Sequence, residues 1–87
     1  LIDFFNENKT LYIELKSRRF MWGDYPDVMI GKNKLDYFRA INKQNDKEFY
    51  FCVNAYNGNY IAKLDCSKEY RSYDKNIFIP CGDFVKF

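Results

Sequence analysis

Apolar and polar residues alternate through Leu11-Tyr12-Ile13-Glu14-Leu15-Lys16, the period-two pattern of a strand with two unlike faces. Residues 1–5 are also strand-like, and "NENK" between the two runs reads as a turn. Closing that turn over residues 6–9 pairs Phe5 with Thr10 and Asp3 with Tyr12. In that hairpin Ile2, Phe4, Leu11, Ile13 and Leu15 share one face, which is expected to pack on a helix. Asp3, Tyr12, Glu14 and Lys16 share the other. Residues 18–29, "RRFMWGDYPDVM", carry Gly23 and Pro26 and read as an aromatic, partly charged loop.

A helix is expected over residues 33–44, with Leu35, Phe38 and Ile41 on one side and Asp36, Arg39 and Lys43 on the other. Beyond it, "EFYFCVNAY" and "NYIAKLD" flank Asn57-Gly58, a strong hairpin signal. Pairing about that dipeptide sets Phe51 opposite Leu64, Val53 opposite Ala62 and Ala55 opposite Tyr60, which keeps one face apolar. "CSKEYRSYDKN" reads as a polar loop and "IFIP" as a short final strand. The order predicts an α/β fold: a single mixed sheet, one main covering helix and a second, C-terminal hairpin.

Composition narrows the class. Eighty-seven residues, 47% hydrophobic and 21% aromatic, suffice for one folded domain over 1–87. No apolar run reaches the length of a membrane span, so no membrane partner is expected. The net charge is only +2, but residues 16–47 carry eight Lys or Arg against four Asp, and that local band suits a polyanion as well as it suits a solvated surface. Cys52, Cys66 and Cys81 are widely spaced with no C-x-x-C pair, which points to reduced thiols and a cytoplasmic setting. The absence of His excludes His-ligated zinc and His-dependent triads, leaving acid-base work to carboxylates, Lys, Tyr or metal-activated water.

The hairpin face then acquires a chemistry. Two carboxylates close together repel unless a cation lies between them, and hard oxygen ligands select Mg²⁺ or Mn²⁺. Asp3 and Glu14, with the backbone carbonyl of Leu15, make such a donor set. Lys16, on the same face, is placed to orient water or to stabilise charge on a phosphate. The alternative is a solvent-facing hairpin surface with alternating charges.

Asp3 followed after ten residues by Glu14-Leu15-Lys16 resembles the D-x(n)-E-x-K signature of the PD-(D/E)xK nucleases, the restriction-endonuclease-like and resolvase-like phosphodiesterases. The succession of hairpin, helix and further strand resembles that family's order as well. Ile2 stands where the family commonly has Pro. The resemblance implies a restriction-endonuclease-like core whose first helix and strand lie ahead of Leu1, with Asp3 and Glu14 as metal ligands and Lys16 as the water-orienting base. It implies a metal-dependent endo- or exonuclease acting on nucleic acid, DNA foremost, and a homodimer where two cuts need two sites.

Other residues bear on the same reading. Lys34 falls inside the apolar arc of the helix, so either the helix starts later or Lys34 reaches toward the sheet edge and the same site; Lys32 is its substitute. Arg18 and Arg19 follow the motif directly and are natural phosphate contacts. Phe20, Trp22 and Tyr25 either stack on unpaired bases or form a satellite of the core. A non-catalytic nucleic-acid-binding or protein-interaction module on the same fold is the competing class.

Overall fold

The computed structural model describes residues 2–87. Ten short elements follow in order: β1 (Phe4–Phe5), β2 (Leu11–Ser17), β3 (Asp27–Gly31), α1 (Lys32–Ile41), β4 (Glu48–Ala55), β5 (Gly58–Leu64), β6 (Arg71–Tyr73), β7 (Asn76–Pro80), a 3₁₀ turn at Cys81–Asp83, and β8 (Val85–Lys86). The strands build two sheets, not the single one expected. The larger is mixed, in the order β1-β2-β4-β5-β8, with β2 and β4 parallel; the smaller is antiparallel, β3-β7-β6.

Register explains the core. Tyr12, Glu14 and Lys16 of β2 lie beside Phe49, Phe51 and Val53 of β4, which in turn face Leu64, Ala62 and Tyr60 of β5. That inner face is covered by Leu35 and Phe38 of α1, Val28 and Ile30 of β3, and Ile77 and Ile79 of β7, all within one buried cluster. Aromatic edges interlock there: the Tyr12 ring meets Phe38 edge-on at 5.7 Å, and Phe38 meets Phe49 at 5.0 Å. The result is an α/β domain with a mixed sheet and, among the described residues, one α-helix. No helix in it is long and apolar enough to cross a membrane.

Several expectations need correction. The first hairpin pairs Phe4 with Ile13 and Phe5 with Tyr12, two residues away from the expected register. The Asn6 side chain sets this offset by accepting the N–H groups of Thr10 (2.8 Å) and Leu11 (3.0 Å). A shift of two preserves the faces, but their roles are exchanged. Tyr12 and Glu14 point inward under the helix, while Leu15 and Phe4 are exposed. The second hairpin also shifts by two, pairing Phe51 with Ala62 and Ala55 with Gly58, so that Tyr56-Asn57 forms the turn and Gly58 takes φ +140. Residues 27–29, expected at the end of the aromatic loop, form β3 together with Ile30 and Gly31 and pair with β7, and 71–73 of the expected polar loop form β6.

The helix stops at Ile41 because Asn42 turns its side chain to other work. Its Oδ1 accepts the Lys47 N–H at 3.0 Å and its Nδ2 donates to Cys66 Sγ at 3.5 Å.

Candidate functional site

Continuing the β1–β2 register by one residue puts Asp3 beside Glu14. Two hydrogen bonds fix the pair. The Leu15 N–H donates to Asp3 Oδ2 at 3.0 Å, and the Asp3 N–H donates to Glu14 Oε1 at a longer 3.4 Å. Asp3 thus supplies a side-chain acceptor where β1 has run out of backbone, and it remains exposed. Glu14 is its opposite, with 0% exposure.

An ionised carboxylate so buried requires compensation. Lys16 Nζ lies 3.3 Å and Lys34 Nζ 3.6 Å from Glu14 Oε2, although no hydrogen bond reaches that oxygen among the described residues. The two ammonium groups arrive from different elements. Lys16 stands two residues along β2 on the same face, and Lys34 projects from the first turn of α1. The Lys34 side chain is only 20% exposed and that of Lys16 37%. Glu14, Lys16 and Lys34 therefore form a compact charge cluster, and Asp3 adjoins it through the hydrogen bonds that tie it to Glu14 and Leu15.

The donors suit a hard divalent cation in kind. Asp3 and Glu14 are neighbours in register, the first exposed and the second buried, and the strand geometry turns the Leu15 carbonyl to the same side as the N–H that reaches Asp3. Glu14 Oε2 is a buried oxygen without a hydrogen bond among the described residues. Among the described residues no group of three or more Cys, Asp or Glu assembles, so the set rests on Asp3, Glu14 and that carbonyl.

The other basic residues are distributed beyond this cluster. Arg18 ties the end of β2 to β3, its guanidinium donating to the Ser17 carbonyl at 3.3 Å and the Met29 carbonyl at 3.0 Å. Burial lowers its pKa from the ordinary value. Arg19 is exposed just past the strand. Lys32 is exposed at the start of α1, its own N–H held by the Lys75 carbonyl at 2.8 Å.

Of the aromatic loop, Trp22 belongs to the core. Its ring stacks on Tyr60 at 4.1 Å with an 8° tilt and meets Phe84 edge-on at 4.9 Å. Asn57 holds it in place, accepting the Trp22 N–H at 2.6 Å and donating to the Trp22 carbonyl at 3.4 Å. The sequence marks Asn57 as a turn residue and carries no sign of this longer-range clamp. The three cysteines are free thiols.

Comparison with protein-family models, with curated proteins and with solved structures finds no match to this chain. The nuclease resemblance accordingly rests on Asp3, Glu14 and Lys16 alone, because β3 intervenes between the hairpin and α1 where the expected order had the helix follow directly.

Proposed function

We propose that this domain is a metal-dependent phosphodiesterase acting on nucleic acid, with DNA as the first substrate to test. The observation that carries the reading is Glu14, a carboxylate with 0% exposure placed beside Asp3 and between the ammonium groups of Lys16 and Lys34. A buried carboxylate gathered with two ammonium groups from different elements is a costly arrangement to keep on an ordinary surface. Asp3, Glu14 and the Leu15 carbonyl would hold Mg²⁺ or Mn²⁺, which when bound supplies Lewis acidity toward phosphate and water. Lys16, partly open to solvent, orients the attacking water. Lys34 offsets charge that builds on the phosphate as the new P–O bond forms and the old one breaks. Arg18, Arg19 and Lys32 contribute further cationic contacts to the polymer backbone.

A second reading has its own observation. Glu14 is already compensated by two lysines and closed to solvent, as in a structural ion cluster that ties β2 to α1. In that case the domain is a non-catalytic binding or interaction module. An assay on plasmid and single-stranded substrates with Mg²⁺ or Mn²⁺ separates the two. Cleavage that is lost in Lys16→Ala, with the fold intact by circular dichroism, supports the enzyme. Cleavage unchanged in that variant, or absent with both ions, contradicts it.

A further inference from the structure

Past Lys16 the chain continues as Ser17-Arg18-Arg19-Phe20; Phe20 is half-buried against the core, and the exposed Tyr25 and Tyr56 attach beside it, Tyr25 through its ring and Tyr56 through its backbone. The Phe20 and Tyr25 rings lie 5.5 Å apart, and the Tyr56 N–H donates to the Phe20 carbonyl at 2.9 Å. Tyr25 is 58% and Tyr56 69% exposed, whereas Trp22 of the same loop is turned inward onto Tyr60. The mounts of these rings are firm. The Tyr25 carbonyl accepts the Cys81 thiol at 3.2 Å, the Pro26 carbonyl accepts the Cys81 N–H at 2.9 Å, and Asn57 clamps the Trp22 backbone. Large rings held rigidly toward solvent lose little entropy when a flat partner stacks on them.

The cations sit in sequence between these rings and the carboxylates. Arg18 uses one donor each for the Ser17 and Met29 carbonyls, which leaves guanidinium donors over, and Arg19 is exposed. From Lys16 to Phe20 is four residues, at most about 14 Å of extended chain, a reach suited to a strand of a few nucleotides. A duplex hides its base faces in the stack and offers little to such rings, while an unpaired strand presents them.

We propose that Tyr25 and Tyr56, with Phe20 backing Tyr25, offer stacking faces for unpaired bases, with Arg18 and Arg19 on the intervening phosphates, making single-stranded nucleic acid the substrate of the carboxylate site. This inference rests on the nuclease reading for its substrate role, but its binding test does not. Fluorescence anisotropy of a labelled oligothymidylate and of a duplex of equal length, both with the full chain and EDTA, measures the platform without cleavage.

The expected result is tighter binding of the single strand, and a loss of roughly tenfold per ring in Tyr25→Ala and Tyr56→Ala, with Tyr25→Phe close to wild type. Arg19→Ala should weaken binding and flatten its salt dependence. Unchanged Trp22 fluorescence in each variant shows that the loop is still docked. Equal affinity for duplex, no binding of either probe, or alanine variants that bind like wild type overturns the proposal. Ring-dependent binding with no cleavage under any metal sinks the nuclease reading and leaves the platform standing. Lys16-dependent cleavage with ring-independent binding does the reverse.

Discussion

Lys34 Nζ stands 3.6 Å from Oε2 of Glu14, so the first turn of α1 and the middle of β2 meet at one carboxylate with 0% exposure. A lysine in a first helical turn opposes the helix dipole, and here the neighbouring carboxylate offsets that penalty. Lys16 approaches the same oxygen at 3.3 Å. β2 carries the Glu14–Lys16 pair itself, and α1 adds the second ammonium.

Removing one ammonium leaves Glu14 Oε2 beside a single cation among the described residues. Lys34→Met is expected to destabilise the fold by roughly 1–3 kcal/mol. Lys16→Met, whose side chain is more exposed, should cost less. The double variant should lose more than the sum of the two, because it strands a buried charge. Urea unfolding of the three variants measures this, and strict additivity would show that the lysines do not share Glu14.

Trp22 is the only tryptophan, so its emission reports on the aromatic loop. Asn57→Ala removes both hydrogen bonds to the Trp22 backbone and should destabilise the loop by about 1–2 kcal/mol. The expected readout is red-shifted, more readily quenched fluorescence at denaturant concentrations where far-ultraviolet circular dichroism is still native.

Much of the fold was legible because the apolar pattern survives even errors in pairing. Both hairpins sit two residues from their expected registers, yet a side-chain period of two returns every residue to its own face. Asp3 and Glu14 therefore stay neighbours despite the shift. Which face turns inward was not legible, because that depends on the parallel neighbour β4 rather than on β2 itself. The column of Phe49, Phe51 and Val53 draws Tyr12 and Glu14 under the helix and leaves Leu15 outside. The small sheet was missed for a related reason. Asp27–Gly31 is a short run, and its partner Asn76–Pro80 lies far along the chain, beyond any local period. Lys34 was legible as an anomaly in an apolar arc, whereas the Asn57 clamp left no local trace.

Asp65 organises the segment after β5. Its Oδ1 accepts the Ser67 hydroxyl at 2.6 Å and the Ser67 N–H at 2.9 Å, and these bonds lower its pKa from the ordinary 3.8. A carboxyl whose pKa is depressed in the folded state stabilises that state above its unfolded value and loses the contribution as pH falls through the lowered one. Wild type is therefore expected to lose stability progressively from near pH 4 downward, and Asp65→Asn should lose less over the same interval. Unfolding midpoints measured in steps of pH check the difference; parallel curves would remove the assigned role.

Burial pushes the thiol pKa of Cys52 upward, and burial together with nearby Asp27 does the same for Cys81. Both thiols should stay protonated and alkylate slowly with iodoacetamide at neutral pH in the native protein, then quickly in denaturant. Mass spectrometry of the labelled peptides reads the rates. Fast native labelling of Cys52 would contradict its placement in β4, where it is 8% exposed.

The most direct test of the carboxylate site is Mn²⁺ titration of the full chain followed by water-proton relaxation, repeated on Asp3→Asn. Asparagine keeps an oxygen to accept the Leu15 N–H and removes only the charge. The account predicts saturable binding in the wild type that weakens by roughly tenfold or more in Asp3→Asn while the fold is unchanged. Absence of binding, or equal binding by the two proteins, contradicts it.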